Sequence, residues 1–203
     1  MEQYLFPHKC PEGISVILAS ASPRRRDLLG SMNIPFTVQV SEADENLPPH
    51  TPPKEAVELL ARRKGAAVAA LQEGDHLVLA ADTLVALGDL ALGKPQSEEA
   101  ARTMLRMLSG KAHQVHTGVA VLRGERVFSG VVTTEVVFRS LTDREIAEYV
   151  ATGEPMDKAG AYGIQGLGGA LVARIDGEFD NVVGLPCRLT DELLCRAVEE
   201  SVQ

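Results

Sequence analysis

The densest group of chemically able side chains is Ser20-Ala21-Ser22-Pro23-Arg24-Arg25-Arg26. Ser22 followed by Pro23 is a helix start, with serine at the cap and proline at the first helical position. Three arginines then fill the first turn. The helix dipole makes that end positive, so cations alone are unfavourable there. A bound anion reverses the sign. It would meet free backbone N–H groups, the hydroxyls of Ser20 and Ser22, and guanidinium forks together. Phosphate binding suits this pattern; a solvated basic turn is the alternative.

Asp82 stands at the end of an apolar run in Ala80-Ala81-Asp82-Thr83. A carboxylate at a strand end in an open α/β sheet can line a crevice, hold a divalent cation or orient water. A plain turn aspartate is the competing reading. Lys94 is set between Gly93 and Pro95, which fixes its direction, and Asp157-Lys158 adds another acid and base. Residues 160–169 (GAYGIQGLGG) hold five glycines, which implies unusual dihedrals or close backbone approach to a ligand. Gln165 is the side chain there with both an amide donor and an amide acceptor, matching the imide edge of uracil or thymine. A flexible loop with its glutamine in water is the bland alternative. Glu42, Asp44 and Glu45 lie in a polar loop. Folded over the site, one of these carboxylates could join Asp82 on magnesium, a hard cation that takes oxygen ligands.

Other chemistries lack their motifs. Gly88–Pro95 has P-loop glycine spacing, but Pro95 stands where Ser or Thr must hold magnesium. Gly166-Leu167-Gly168 precedes a strand, the reverse of a dinucleotide fingerprint. There is no Gly-x-Ser-x-Gly elbow and no Cys-x-x-Cys. His113 and His116 face opposite sides of a probable strand, which argues against a metal pair. Cys10, Cys187 and Cys195 form no disulfide framework, so a reducing compartment is expected. Residues 1–13 show no basic-then-apolar leader, and cytoplasm is the expected location. The 20 basic and 28 acidic residues give a net charge of −8, which opposes a general nucleic-acid or anionic-membrane binder. No apolar run reaches the roughly 20 residues that span a bilayer.

The 203 residues suffice for one domain, expected over 15–203 after an N-terminal extension at 1–14. Periodicity and turn chemistry predict strands at 15–20, 36–40 and 76–81, a hairpin of 84–87 with 90–92 around Gly88-Asp89, paired long strands at 114–122 and 126–138, and a strand at 170–175. Helices are expected from Ser22-Pro23 to about Met32, over 54–71, over 97–108 capped by Ser97, from a Thr142/Glu145 capping box to Ala151, and over 186–200. Interleaved helices and strands with hairpins mean an α/β class with a mixed sheet and flanking helices.

Taken in order, LASASPRR (18–25), ARRKGAA around Lys64, AADTLV (80–85), LGKP (92–95), MLSGKAHQVHTGVA (107–120), GEPMDKAGAYGIQGLGG (153–169) and NVVGLP (181–186) resemble the Maf family of nucleotide pyrophosphatases. The departures are Ala21 between the serines, Gly65 after Lys64 and the N-terminal stretch. The resemblance implies an elongated two-lobed domain with a central cleft, similar to the inosine-triphosphate pyrophosphatase fold. It implies hydrolysis of a nucleoside triphosphate to monophosphate and pyrophosphate with magnesium or manganese, and a homodimer. It places the catalytic base on Asp82 and the specificity positions of the dTTP/UTP branch on Arg24, Thr83 and Gln165. On this reading Asp82, with Asp44, holds the metal. Ser20, Ser22, Arg24, Arg25, Lys64, Lys94 and Lys158 bind the substrate, the cations clamping its triphosphate, and Thr83 and Gln165 read the base. A non-catalytic nucleotide-binding regulator would bind without releasing pyrophosphate; a monophosphatase would release orthophosphate.

Overall fold

The computed structural model describes residues 15–199. The N-terminal extension with Cys10, and the last residue of the expected closing helix, lie outside the described residues. Seven strands run in the order β2-β1-β3-β5-β6-β7, with β4 paired to β3. They are β1 (Ser15–Leu18), β2 (Phe36–Val38), β3 (His76–Leu87), β4 (Leu90–Leu92), β5 (Ala112–Arg123), β6 (Arg126–Phe138) and β7 (Val172–Asp176). β1 is parallel to β2 and β3, whereas β3–β4 and β6–β7 are antiparallel, so the sheet is mixed as expected.

The described chain divides into two compact units. The first comprises the residues up to Asp82, Thr117–Val132 and those from Gly184; the second comprises Thr83–His116 and Thr133–Val183. In the first unit the strands alternate between two cores. Val16, Leu18, Leu77, Leu79 and Val121 face one side, against Leu29 of helix α1 (Pro23–Ser31) and Leu193 of the C-terminal helix Cys187–Glu199. Ile17, Ala19, Val78, Ala80 and Leu122 face the other, against Ala61 and Val68 of α2 (Pro53–Ala69). Burial on both faces is why these strands read as unbroken apolar runs.

Two glycines let α2 sit close on the sheet. A methyl at Gly65 of α2 would collide with Leu122 and stand 3.5 Å from the Ala80 methyl. One at Gly118 of β5 would stand 2.5 Å from the Val57 carbonyl carbon and 2.7 Å from Glu58 N, both main-chain atoms of α2. Gly65, a departure in the sequence pattern, thus lies where α2 meets the sheet, and a methyl there would require the Leu122 side chain to move.

The second unit has its own core, in which Leu105 and Leu108 of α3 (Glu98–Leu108) meet Ile146 and Val150 of α4 (Asp143–Ala151) and Phe138 of β6. Both helices begin as the sequence predicts. Ser97 Oγ accepts from Ala100 N, and Thr142 with Glu145 forms the reciprocal capping box. The Gly88-Asp89 turn pairs Leu87 with Leu90.

Three expectations change. β3 does not stop before Asp82; it continues to Leu87 because Thr83-Leu84-Val85 are strand formers with no glycine or proline to break them. Asp82 is therefore a mid-strand residue. The glycine-rich stretch holds two short 3₁₀ turns, Ala159–Ala161 and Leu167–Leu171, which follow another at Glu154–Asp157 and flank the turn that carries Gln165. A short helix α5 (Phe179–Val183), not anticipated, precedes the C-terminal helix, α6.

Candidate active site

Pleating decides where Asp82 points. Val78, Ala80 and Asp82 share one face of β3 by the two-residue period, and that face carries α2. Lys64, on the turn of α2 next to Gly65, meets Asp82 there: its Nζ donates to Asp82 Oδ1 at 2.6 Å. Both side chains are about one-seventh exposed, 16% for Lys64 and 14% for Asp82. Partial burial makes the partnership matter, because removing one member of such a pair leaves an uncompensated charge.

The same ammonium reaches Glu45 Oε1 at 2.8 Å. Arg63 of α2 brings the acidic loop over, donating from Nη1 to the Asn46 carbonyl at 2.6 Å and to the Asp44 carbonyl at 3.5 Å. Asp44, the expected partner of Asp82, spends its carboxylate locally: its Oδ1 accepts from Asn46 N at 2.9 Å and from Asn46 Nδ2 at 2.6 Å. The acidic side chain beside Lys64 and Asp82 is its neighbour Glu45. A loop aspartate two residues before an asparagine tends to fold back on that backbone, and this was the available signal.

Helix α1 opens beside this group. Ser22 caps it, accepting from Arg25 N at 3.5 Å, and Ser20, nearly fully buried, accepts from Ser22 N at 3.2 Å. Arg25 is held at both ends of its fork. Its Nε donates to the Gly184 carbonyl at 2.8 Å and its Nη1 to Ser20 Oγ at 3.3 Å. Burial lowers Arg25 below the ordinary guanidinium value; Asp82 opposes that fall, Arg24 adds to it, and Glu45 opposes it. Arg24 is half-buried in the same turn. Ser20, Ser22, Arg24, Arg25, Lys64 and Asp82 thus all belong to the first unit, as does Glu45.

The other expected residues belong to the second unit. Thr83 is half-buried on β3, Lys94 is exposed after β4, and Gln165 is exposed. Lys158 is engaged within its own segment: Nζ donates to the Glu154 carbonyl at 2.8 Å and to Asp157 Oδ1 at 2.6 Å. The glycines around Gln165 have a use that sequence reading missed. A methyl at Gly166 would stand 2.7 Å from the Glu154 carboxyl carbon, and one at Gly168 would stand 2.5 Å from Tyr149 Oη. The close approach is to the chain's own side chains.

Asp82 and Glu45 are two carboxylates meeting at one ammonium. That donor set fits a hard cation such as magnesium, which keeps waters and substrate phosphate oxygens beside one or two protein carboxylates. It does not form a closed protein cage, and no cluster of three or more His, Cys, Asp or Glu suited to a metal exists among the described residues. A cavity of about 320 Å³ in the second unit, lined in part by Asp89, His113 and Glu135, holds none of these site residues. No helix among the described residues is long and apolar enough to cross a membrane.

A family model described as "Maf-like protein" matches residues 15–197. The chain is 55% identical to the dTTP/UTP pyrophosphatase of Moorella thermoacetica over 181 residues, 88% of this chain and 93% of that one. It is 54% identical to the dTTP/UTP pyrophosphatase of Halalkalibacterium halodurans over 175 residues, 86% of this chain and 92% of that one. Among solved structures, the Staphylococcus aureus Ham1 protein is similar at 16% identity with a TM-score of 0.43, covering 93% of this chain and 100% of that one.

Proposed function

The chain belongs to the Maf family, and from that premise we propose that it is a nucleoside triphosphate pyrophosphatase that hydrolyses dTTP and UTP to the monophosphate and pyrophosphate. The observation that carries the chemistry is the largely buried carboxylate of Asp82, held by Lys64 through Oδ1 beside the anchored guanidinium of Arg25. Asp82 deprotonates or orients the water that attacks the α-phosphorus. The water oxygen bonds to that phosphorus as the bond to the bridging oxygen breaks, and pyrophosphate leaves. Lys64 and Arg25 face the phosphate charge, with Ser20, Ser22, Arg24 and the first-turn amides of α1. Such a reaction depends chiefly on positioning and on charge stabilisation, which these groups provide.

A magnesium or manganese ion would be held by Asp82 with Glu45, or with Asp44 if that side chain leaves Asn46. When bound it supplies Lewis-acid stabilisation of the phosphate oxygens. Lys94 and Lys158 extend the cation set to the triphosphate. Thr83 and Gln165 read the pyrimidine, with Arg24 as a third specificity position. The reading includes a cytoplasmic location and a homodimer, the first supported by the cysteine pattern and the second by the family resemblance.

The test is pyrophosphate release from dTTP, UTP, CTP, GTP and 7-methyl-GTP by the wild type and Asp82→Asn. The wild type releases it mainly from dTTP and UTP. Loss of the general base lowers the variant's kcat by about 10²- to 10⁴-fold while the fold stays intact. Near-normal turnover by Asp82→Asn would remove the base from Asp82, and preference for 7-methyl-GTP would overturn the substrate.

A further inference from the structure

Glu154 begins the 3₁₀ turn that follows Gly153. Its carboxylate reaches across to the segment that carries Gln165. Oε1 accepts from Tyr149 Oη at 2.9 Å and from Gly168 N at 3.0 Å, while Oε2 accepts from Leu167 N at 2.9 Å. Tyr149 Oη in turn accepts from Gly163 N at 3.0 Å. Backbone on both sides of Gln165 is therefore tied to one carboxylate: Gly163 through Tyr149, Leu167 and Gly168 directly. Gly166 N closes the tip on the Gly163 carbonyl at 3.3 Å.

The glycines belong to the same device. Gly163, Gly166 and Gly168 do not have positive φ, so dihedral freedom is not what they supply. A methyl at any of them would collide with Lys158, Glu154 or Tyr149 respectively. Burial alone would raise the Glu154 carboxyl, but the amides of Gly168 and Leu167 and the Tyr149 hydroxyl hold it below the ordinary carboxylate value. It stays an anion and accepts charge-assisted bonds, which are stronger than neutral ones. The ammonium of Lys158 bonds to the Glu154 carbonyl and to Asp157, leaving the Glu154 carboxylate to the tyrosine and the amides.

We propose that Glu154 is a positioning residue for base recognition: with Tyr149 as its relay, it fixes the backbone on either side of Gln165 so that the exposed amide is presented in one orientation to the imide edge of the pyrimidine. This rests on the reading that Gln165 meets the base. An amide that reads a donor–acceptor edge must be held to within about 0.5 Å, and a site so held rejects bases that lack the pattern. Cytosine offers a different pattern on that edge, so dTTP against CTP is the discriminating pair.

The experiment measures kcat and KM for dTTP and CTP, with melting temperatures, for the wild type, Glu154→Gln, Gln165→Ala and the double variant. Glu154→Gln has the shape of the original but offers one acceptor oxygen where the carboxylate offers two, so an amide N–H loses its partner. Loss of one such hydrogen bond lowers the dTTP:CTP ratio of kcat/KM by about tenfold, expressed in KM for dTTP more than in kcat. The double variant then discriminates no worse than Gln165→Ala alone. If Gln165→Ala destroys discrimination and Glu154→Gln keeps the wild-type ratio, the positioning role is refuted and the base reader stands. If Gln165→Ala itself keeps the ratio, the base-reading premise falls and the inference falls with it. Should Glu154→Gln fail to fold, Tyr149→Phe, which cuts the relay to Gly163, gives the same comparison.

Discussion

Alanine at Gly118 would test whether close packing of α2 on the sheet sets the geometry of the catalytic group. The added methyl would stand 2.5 Å from the Val57 carbonyl carbon and 2.7 Å from Glu58 N. Both atoms are helix main chain, so no rotamer change relieves the clash. Ordinary contact begins at 3.4 Å, so strand and helix must part by about 1 Å in an interior with no slack to absorb it. Overpacking of this kind costs about 1–3 kcal/mol. In a chain of this length each kcal/mol moves Tm by roughly 2–4 °C, so Gly118→Ala should lower Tm by about 2–12 °C. Val57 lies about two helical turns before Lys64, and α2 moves as one rod. A displacement near 1 Å at a catalytic group can cost up to about 10²-fold in rate, so kcat/KM for dTTP should fall by about 10- to 100-fold. The control is Gly30→Ala in α1. A methyl there meets nothing within 4 Å, and replacing a helical glycine should stabilise by about 0.5–1 kcal/mol. Calorimetry and pyrophosphate release on the three proteins decide the matter. A Gly118→Ala protein with wild-type Tm and wild-type activity would refute the claim that α2 has no room to move.

Two further outcomes follow from single contacts. Lys64 bonds both Asp82 and Glu45, so Lys64→Met should remove one positive charge from between these two carboxylates and tighten Mn²⁺ binding in the absence of nucleotide, read by titration calorimetry, while pyrophosphate release falls. Weaker Mn²⁺ binding than in the wild type would separate these carboxylates from the metal. His113 is buried edge-on against Phe138 and Tyr162, with Nε2 2.9 Å from Tyr162 Oη. Burial, opposed in part by the Lys111 backbone, lowers its pKa from 6.5 to about 4. The neutral ring therefore contributes stability that is complete above pH 6.5 and is lost as pH falls toward 4, an effect that grows to about 3 kcal/mol. His113→Gln should flatten the urea-unfolding stability across that window, and a slope equal to the wild type would dismiss His113 as its source.

What could be read directly from the sequence was local. Ser22-Pro23, Ser97 and the Thr142/Glu145 box mark helix starts because their partners lie three residues away. Gly88-Asp89 marks its hairpin for the same reason. The site was legible as residue types but not as partnerships. Asp44 and Glu45 are adjacent acids, and only the docking of the loop through Arg63 separates the one that folds back on Asn46 from the one that meets Lys64. The glycines near Gln165 suggested a ligand, yet their contacts are with Glu154 and Tyr149, partners close in sequence whose role depends on tertiary folding.

One longer-range partnership did leave a signal. Val78, Ala80 and Asp82 alternate onto one face of β3, while Ala61, Gly65 and Val68 place small or β-branched residues on one face of α2. A helix whose contact stripe is that small can lie close on a strand. The residue beside the stripe, Lys64, is then brought to the first polar position along the strand face, which is Asp82. The pairing of base and lysine thus follows from two apolar periodicities. It also explains why Gly118, which carries no chemistry, matters to the site: an added methyl would press on the main chain of α2 and move the ammonium relative to the carboxylate it neutralises.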